Sequence, residues 1–362
     1  MAPLFRLISK ASIIFLVSIA LIVPVVSVEA RKPTPPDTTP SPEKALSFLR
    51  GQISTVGLLD SYVEDNTDYS YTYDDALAAM AFISAGDFVS ARRILDAFVA
   101  IGPQPEGGFL HRYHATDGSP YGTLSVGHNA YLLQAMNLYY LETGDSRYNL
   151  LAQEVANYIL SQQDIDGGIF GRAGVTWKST ESNLGALSAI HNLGKVQNIP
   201  YYIDRANAIR NFLITECWDG VRFLCGENDP MIVTDVQALG GMVLGPSYAN
   251  GAYWVENYTR TTKRYSGRKT ITGFDFNADR DTVWIEGTLQ ETMAFFVAGD
   301  ITKYSFYKTE SEKLFQSSGA LLLASNTGTT GFDWILERWQ AVAPTAWYIY
   351  ACNQDNVLEL LP

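Results

Sequence analysis

The chain has 362 residues, of which 47% are hydrophobic and 12% aromatic, so it can bury a large core. Its net charge is -12 at pH 7. Surfaces that bind nucleic acid are basic, so this charge speaks against nucleic acid as a partner.

The first 30 residues have the composition of a targeting segment. Two basic residues precede an apolar stretch from Ala11 to Val28, and small residues near position 30 suit a cleavage site. This pattern predicts a signal peptide or, because the stretch approaches the length of a bilayer span, an N-terminal membrane anchor over residues 1–30. Residues 31–42 form a Pro/Thr-rich linker. We therefore expect residues 43–362 to lie outside the cytoplasm, either secreted or attached to a membrane or cell wall.

Six polar clusters follow one another at nearly even spacing, and each opens a run of apolar and small residues. The steps between them are 54, 53, 54, 51 and 60 residues. A period of this size fits one helical hairpin with a long return loop. Six such hairpins can close into a ring, which would gather all six clusters at one mouth. The steps are counted from Asp74, His128, Glu181, Asp235, Glu286 and Ala346.

Hydrophobic periodicity predicts twelve helices that alternate in character. Every second helix is apolar on all sides, which is typical of a helix buried on all sides, and the others are amphipathic. This alternation predicts an all-α (α/α)6 toroid, with an inner ring of six helices inside an outer ring of six. The predicted spans are 43–56, 73–85, 87–101, 127–143, 145–163, 181–194, 201–216, 234–244, 250–263, 285–299, 301–323 and 344–353.

The connections between these helices are of two kinds. Inner-to-outer turns are short and pair a glycine helix stop with an aspartate N-cap, as in Gly86-Asp87, Gly144-Asp145 and Gly299-Asp300. The return loops are long and rich in glycine and aromatic residues. Such loops on a rigid scaffold commonly carry function, and here they would surround the mouth.

Three segments, together with the twelve-helix rhythm, resemble the six-hairpin or (α/α)6-barrel glycosidases over roughly residues 43–353. They are Tyr-Asp-Asp-Ala-Leu at 73–77, Ser-Thr-Glu-Ser-Asn at 179–183 and Asp-Thr-Val-Trp-Ile-Glu-Gly-Thr at 281–288. The resemblance implies a carbohydrate substrate and a barrel fold. Related barrels also include polysaccharide lyases and sugar epimerases, so the fold does not determine the reaction.

Glycoside hydrolysis needs two facing carboxyl groups, one protonated and one ionised. The predicted catalytic residues are Glu181, Glu286, Asp235 and Asp74, although each could also be an ordinary helix cap. Helix N-termini favour ionised carboxylates, which suits the base, whereas the acid needs burial or a like-charged neighbour. Aromatic and amide side chains can stack on sugar rings and bind hydroxyls. The predicted substrate-binding residues are Tyr73, His128, Asn129, Trp177, Asn183, Trp284 and Trp347. His111 and His114 are expected to be solvated loop residues.

No cofactor is predicted, with one weaker alternative. Asp275, Asn277, Asp279 and Asp281, followed by Glu286, have the spacing of a calcium-binding loop, but Arg280 stands where that loop requires glycine.

Cys217 and Cys225 flank an Asp-Gly turn, which predicts a disulfide in an oxidising compartment.

The sequence thus predicts an extracytoplasmic glycoside hydrolase acting on an oligo- or polysaccharide. The starts of the inner helices lack Lys and Arg that would neutralise a uronate, which favours a neutral glycan. Two alternatives stay open: a non-catalytic carbohydrate-binding surface protein, and a sugar epimerase or polysaccharide lyase on the same fold.

Overall fold

The computed structural model describes residues 37–362. The predicted signal peptide or anchor and the first half of the linker, residues 31–36, lie outside the described residues. Within residues 37–362, no helix combines the length and the apolar character needed to cross a bilayer.

Six helices form a closed inner ring. Each contacts the next, and the last contacts the first. Six further helices pack around them as an outer ring. The predicted (α/α)6 toroid is therefore confirmed. The inner helices are α2 (Thr72–Ser84), α4 (Val126–Thr143), α6 (Thr180–Val196), α8 (Asp235–Leu244), α10 (Ile285–Val297) and α12 (Val342–Asn353), and the outer helices are α1 (Pro42–Gln52), α3 (Phe88–Ile101), α5 (Asn149–Ser161), α7 (Pro200–Phe212), α9 (Asn250–Val255) and α11 (Ile301–Glu312).

The short turns between inner and outer helices follow the predicted chemistry. Gly86, Gly144 and Gly299 have φ angles of 75°, 69° and 78°, a left-handed conformation that glycine adopts without steric cost. After two of these turns an aspartate caps the next helix: Asp87 accepts from the Ser90 amide, and Asp300 from the Lys303 amide.

Two outer helices are only about half as long as predicted. The spans 250–263 and 301–323 end at Val255 and Glu312, and β-structure follows each. Residues 260–266 alternate in exposure and contain two threonines, which favours an extended strand over a helix. All nine strands of the described chain lie in the return loops. They are β1 (Tyr69–Tyr71), β2 (Leu110–His114), β3 (Pro120–Leu124), β4 (Arg260–Ser266), β5 (Lys269–Phe274), β6 (Leu321–Leu322), β7 (Gly328–Thr329), β8 (Ile335–Leu336) and β9 (Gln340–Ala341).

These strands pair only within the mouth-side loops. β1, β2 and β3 form an antiparallel three-stranded sheet in that order, and the remaining strands form two-stranded sheets, β4 with β5, β6 with β9 and β7 with β8.

One hydrogen bond recurs in all six hairpins. Near the start of each inner helix, a polar side chain accepts from the backbone N–H of a buried apolar residue in the preceding loop, at 2.7–3.0 Å. We call these six side chains the loop anchors. They recur at steps of 54, 54, 54, 51 and 57 residues, so they carry the repeat that the sequence shows. The anchors and their partners are Asp75 with Leu59, Asn129 with Phe109, Asn183 with Ile169, Gln237 with Phe223, Thr288 with Phe274 and Thr345 with Leu321.

The C-terminal tail fills the end of the inner ring away from the helix N-termini. Side chains of Gln134 and Asn192 donate to the carbonyls of Val357 and Glu359 at 2.7 and 2.9 Å. Leu358 is 1% exposed. The barrel is therefore open at the mouth and closed by the tail at its other end.

The predicted disulfide is absent, since Cys217 and Cys225 are both free. Trp218 pairs with Phe223 in the hairpin between them, and the Leu224 amide donates to the Cys217 carbonyl at 2.8 Å. This register places Cys217 opposite Leu224, one residue away from Cys225, which explains why the prediction was wrong.

Candidate active site

A cavity of about 780 Å³ lies at the N-terminal ends of the inner helices. Five residues that line this cavity each stand two positions before one of the first five loop anchors. Ala343, which stands two positions before the sixth anchor, does not line the cavity. The anchors hold the loops, and these neighbouring positions supply the groups that face the cavity. In chain order the five are Tyr73, Gly127, Glu181, Asp235 and Glu286.

Glu286 is 8% exposed and lies among other acidic groups. The Tyr73 hydroxyl donates to its Oε1 at 2.7 Å, and the Gln290 amide donates to the same oxygen at 3.4 Å. Burial, opposed by the Tyr73 hydrogen bond and assisted by the charges of Asp74, Asp235 and Glu181, raises the pKa of the Glu286 carboxyl to about 8. Both donors occupy Oε1, so the proton of the neutral acid belongs on Oε2.

The other three predicted catalytic carboxyls, those of Asp235, Glu181 and Asp74, have lower pKa values than Glu286. Burial raises the pKa of Asp235 to about 6, and two backbone N–H groups, including that of Val236 at 2.8 Å, oppose the rise. Burial followed by the Asp235 charge raises the pKa of Glu181 to about 7. Burial raises the pKa of Asp74 to about 7, with a hydrogen bond from Ser61 acting against it. All four predicted catalytic residues therefore line one cavity with raised pKa values.

At Glu286 and Asp74 the helix N-terminus does not hold the carboxyl in its ionised form. The helix dipole stabilises a nearby carboxylate by about 0.3–1 kcal/mol. A shift of 3 or more pKa units from burial corresponds to about 4 kcal/mol, so desolvation exceeds the dipole at Glu286 and Asp74.

Two histidines lie together on one wall of the cavity. His128 was predicted to bind substrate, whereas His111 was expected to be a solvated loop residue, and both line the cavity. Their ring centroids are 5.7 Å apart. Burial lowers the pKa of His128 to about 3 and also lowers that of His111, so both imidazoles are neutral at pH 7. His114 instead lies on the sheet, where its Nδ1 is 2.6 Å from Asp68 Oδ1.

Aromatic side chains form much of the remaining wall. Trp177 and Trp284 line the cavity as predicted, and Trp177 is 42% exposed at the rim. Phe332 and Trp334, on the loop between β7 and β8, are 44% and 43% exposed and also line it. Tyr62 is a further lining residue that sequence reasoning missed, because it belongs to the loop before β1 and to no helix.

Three predicted substrate-binding residues have other roles. Asn129 and Asn183 are loop anchors, fully buried, and their amides also donate to the Phe109 and Ile169 carbonyls at 2.7 and 2.9 Å. Trp347 is 0% exposed in the core of α12, and α12 places no side chain on the cavity. For these three residues the predicted contact with substrate is corrected.

The candidate calcium loop is held together by its own hydrogen bonds. Oxygen atoms of Asp275, Asp279 and Asp281 lie within 4.8 Å of one another. Asp275 accepts from the Phe276 and Thr282 amides, and Asp281 from the Thr329 amide and hydroxyl. Asn277 accepts from the Asp279 amide at 2.8 Å. Glu286 faces the cavity and bonds Tyr73, so it is not available as the last ligand of such a loop.

Several solved structures share this helical architecture. A glycosidase superposes with a TM-score of 0.65 and 14% identity over 89% of this chain and 96% of that one. The chain has the fold of the six-hairpin glycosidase-like proteins. A D-mannose isomerase (TM-score 0.66, 12% identity, 88% of this six-hairpin chain and 95% of that one) shares the fold. A cellobiose 2-epimerase from Bacillus thermoamylovorans also shares it, with a TM-score of 0.62 and 12% identity over 84% of this chain and 95% of that one. Another glycosidase structure with this fold, a complex with glucose, superposes with a TM-score of 0.64 and 13% identity over 89% of this chain and 96% of that one. No protein-family model matches the sequence, and neither does any curated protein sequence.

Proposed function

We propose that this six-hairpin protein is a glycoside hydrolase that cleaves an oligo- or polysaccharide. One observation carries the proposal: acidic side chains from α2, α6, α8 and α10 converge on one aromatic-lined cavity, with pKa values near neutrality. Hydrolysis of a glycosidic bond uses one protonated and one ionised carboxyl in the same site. The glucose bound by the structurally similar glycosidase supports a carbohydrate ligand.

Glu286 is proposed as the general acid. Its pKa of about 8 keeps it protonated at pH 7, and its free Oε2 can donate to the glycosidic oxygen. Asp235 has a pKa of about 6 and is ionised at pH 7, which suits it as the base or nucleophile. As the Glu286 proton passes to the leaving oxygen, the negative charge of Asp235 stabilises the positive charge that develops on the sugar.

Epimerisation is a less suitable reaction for this cavity. Exchange of a proton between the two faces of a sugar carbon is served by bases on both faces. His111 and His128 lie side by side on one wall, 5.7 Å apart. Among the described residues, no other histidine lines the cavity.

The location and the substrate class belong to the same proposal. The targeting pattern of residues 1–30 supports a secreted or envelope-attached enzyme, for which extracellular glycans are the natural substrates. Among the described residues that line the cavity, Arg172 is the one arginine or lysine, and its Nη1 donates to Thr123 Oγ1 at 3.0 Å. This supports a neutral glycan.

The test is release of reducing sugar from a panel of neutral and acidic glycans. We expect activity in the wild type and losses of 10²- to 10⁴-fold in Glu286→Gln and Asp235→Asn. The wild-type pH profile should rise near pH 6 as Asp235 ionises and fall near pH 8 as Glu286 loses its proton.

Glu291→Gln is the matched control, because Glu291 lies on the same helix, is 0% exposed and does not line the cavity. Its substitution should leave activity unchanged. Equal loss in the control, or full activity in both cavity variants, would refute the assignment. Glycan binding without any turnover would instead identify a non-catalytic carbohydrate-binding protein.

A further inference from the structure

The sheet of β1, β2 and β3 turns a polar, aromatic face to solvent beside the cavity. Tyr71 of β1 lines the cavity. It lies opposite Arg112 of β2, and Arg112 in turn lies opposite Tyr121 of β3. Residues opposite one another on neighbouring strands share a face of the sheet. Tyr69, two residues before Tyr71, lies on this face as well. A row of side chains therefore leads from the cavity wall across two strands, roughly 10 Å.

Tyr69, Arg112 and Tyr121, which we call the tyrosine platform, are held rigidly together. The rings of Tyr69 and Tyr121 stack with centroids 4.8 Å apart and an interplanar angle of 12°. The Arg112 guanidinium carbon lies 4.7 Å from the Tyr69 centroid and 4.3 Å from that of Tyr121. Arg112 Nη1 also donates to the Tyr71 hydroxyl at 3.1 Å, which ties the platform to the cavity wall.

The platform joins the cavity at a second point through its backbone. His111, between Leu110 and Arg112 at a register shift in the β2–β3 pairing, lines the cavity. A Cβ at Gly122 would overlap the His111 imidazole, and Gly122 has φ +114°. The residue next to Tyr121 must therefore be glycine for His111 to keep its place in the wall.

Tyr121 is both ordered by its neighbours and exposed to solvent. The residue is 41% exposed, although Tyr69, Arg112 and His114 all lie against its ring. An ordered, exposed ring presents a flat apolar surface at little further entropic cost on binding. Such rings stack on the C–H faces of sugars, while nearby guanidinium and phenol groups bond hydroxyls.

We propose that the tyrosine platform binds sugar units of a glycan whose end occupies the cavity. The inference rests on the proposed function and adds that the preferred substrate is an oligosaccharide longer than the cavity alone would hold. The closed end of the barrel means that the rest of the chain must leave through the mouth, and the platform offers one path there.

The test measures affinity against chain length. Cello-, malto-, laminari- and manno-oligosaccharides from disaccharide to hexasaccharide are titrated calorimetrically into protein carrying Glu286→Gln, which prevents turnover. Added Tyr121→Ala should weaken hexasaccharide binding about 3- to 10-fold and leave disaccharide binding unchanged. Tyr121→Phe, which keeps the ring, should restore hexasaccharide affinity. Unchanged disaccharide binding by the Tyr121→Ala protein shows that the cavity beside the strand still folds.

Tyr258→Ala is the matched control. Tyr258 is 39% exposed, and its ring stacks on that of Trp254 with centroids 4.1 Å apart. It neither lines the cavity nor belongs to the β1–β2–β3 sheet. Its loss should change no affinity. Equal weakening of disaccharide and hexasaccharide, no weakening at any length, or no binding of any of these sugars would overturn the platform proposal. Length-dependent binding that needs Tyr121, together with no hydrolysis by the wild type, would refute the proposed function alone.

Discussion

Replacement of Tyr73 by phenylalanine tests the proposed acid most directly. The substitution keeps the ring, which packs edge-on against Tyr131 with centroids 4.6 Å apart, and removes only the hydroxyl that donates to Glu286. A hydrogen bond to a charged group stabilises it by about 1.5–3 kcal/mol, and one pKa unit corresponds to about 1.4 kcal/mol. Loss of the donor destabilises the ionised form, so the pKa of Glu286 should rise from about 8 by about 1–2 units.

The assay is the pH dependence of kcat/KM, whose limbs report the titrating groups of the free enzyme. For Tyr73→Phe we expect the alkaline limb to move up by about 1–2 pH units, while the acid limb stays near pH 6, where Asp235 titrates. Tyr71→Phe is the control, because Tyr71 lines the same cavity but bonds Arg112 and not Glu286. An alkaline limb that stays in place or moves to lower pH in Tyr73→Phe would refute Glu286 as the acid.

Two further predictions concern stability. Glu286 is favoured in its neutral form by the fold, so its contribution is present at low pH and is lost as pH rises from about 4.5 to about 8. Denaturant unfolding should therefore show Glu286→Gln gaining about 3 kcal/mol over the wild type between pH 5 and pH 8, and a pH-independent difference would contradict this. Asn183→Ala removes a loop anchor with partners at Ile169 N and O and at Ser179 O, which should lower the unfolding free energy by about 3 kcal/mol. Because Asn183 does not line the cavity, kcat/KM of the folded fraction should change only a few-fold, and a catalytic loss as large as that of Glu286→Gln would show contact with substrate.

The period of the sequence predicted the barrel because each hairpin repeats the same buried contacts. It did not predict which residue of each polar cluster faces the cavity. Asn183 and Glu181 are two residues apart on one helix turn, and both are polar residues near a helix start. Only packing against the preceding loop distinguishes them: Asn183 bonds Ile169, fourteen residues upstream, and Glu181 is left to the cavity.

The return loops were the least predictable part. The pairing of β1 with β2 joins residues more than forty positions apart, such as Tyr71 and Arg112, and no local pattern marks it. His111 was placed in solvent for the same reason, because its position in the cavity wall depends on this sheet. Trp347 was mistaken for a mouth residue because a tryptophan near an inner-helix start looks the same in sequence whether it faces the cavity or the core.

The hydrogen bond between Tyr73 and Glu286 crosses a whole sector of the barrel. These residues belong to α2 and α10, and α12 stands between the two helices in the ring. Its corresponding residue is Ala343, whose methyl group is too short to come between them. The cavity therefore lacks the sixfold symmetry of its scaffold: the corresponding positions of α6, α8 and α10 carry three successive acids, whereas those of α12, α2 and α4 carry an alanine, a phenol and a glycine. Asp74 of α2 adds a fourth acid beside the phenol, so a sugar that enters the cavity meets an uneven distribution of carboxyls, which favours some orientations of the sugar over others.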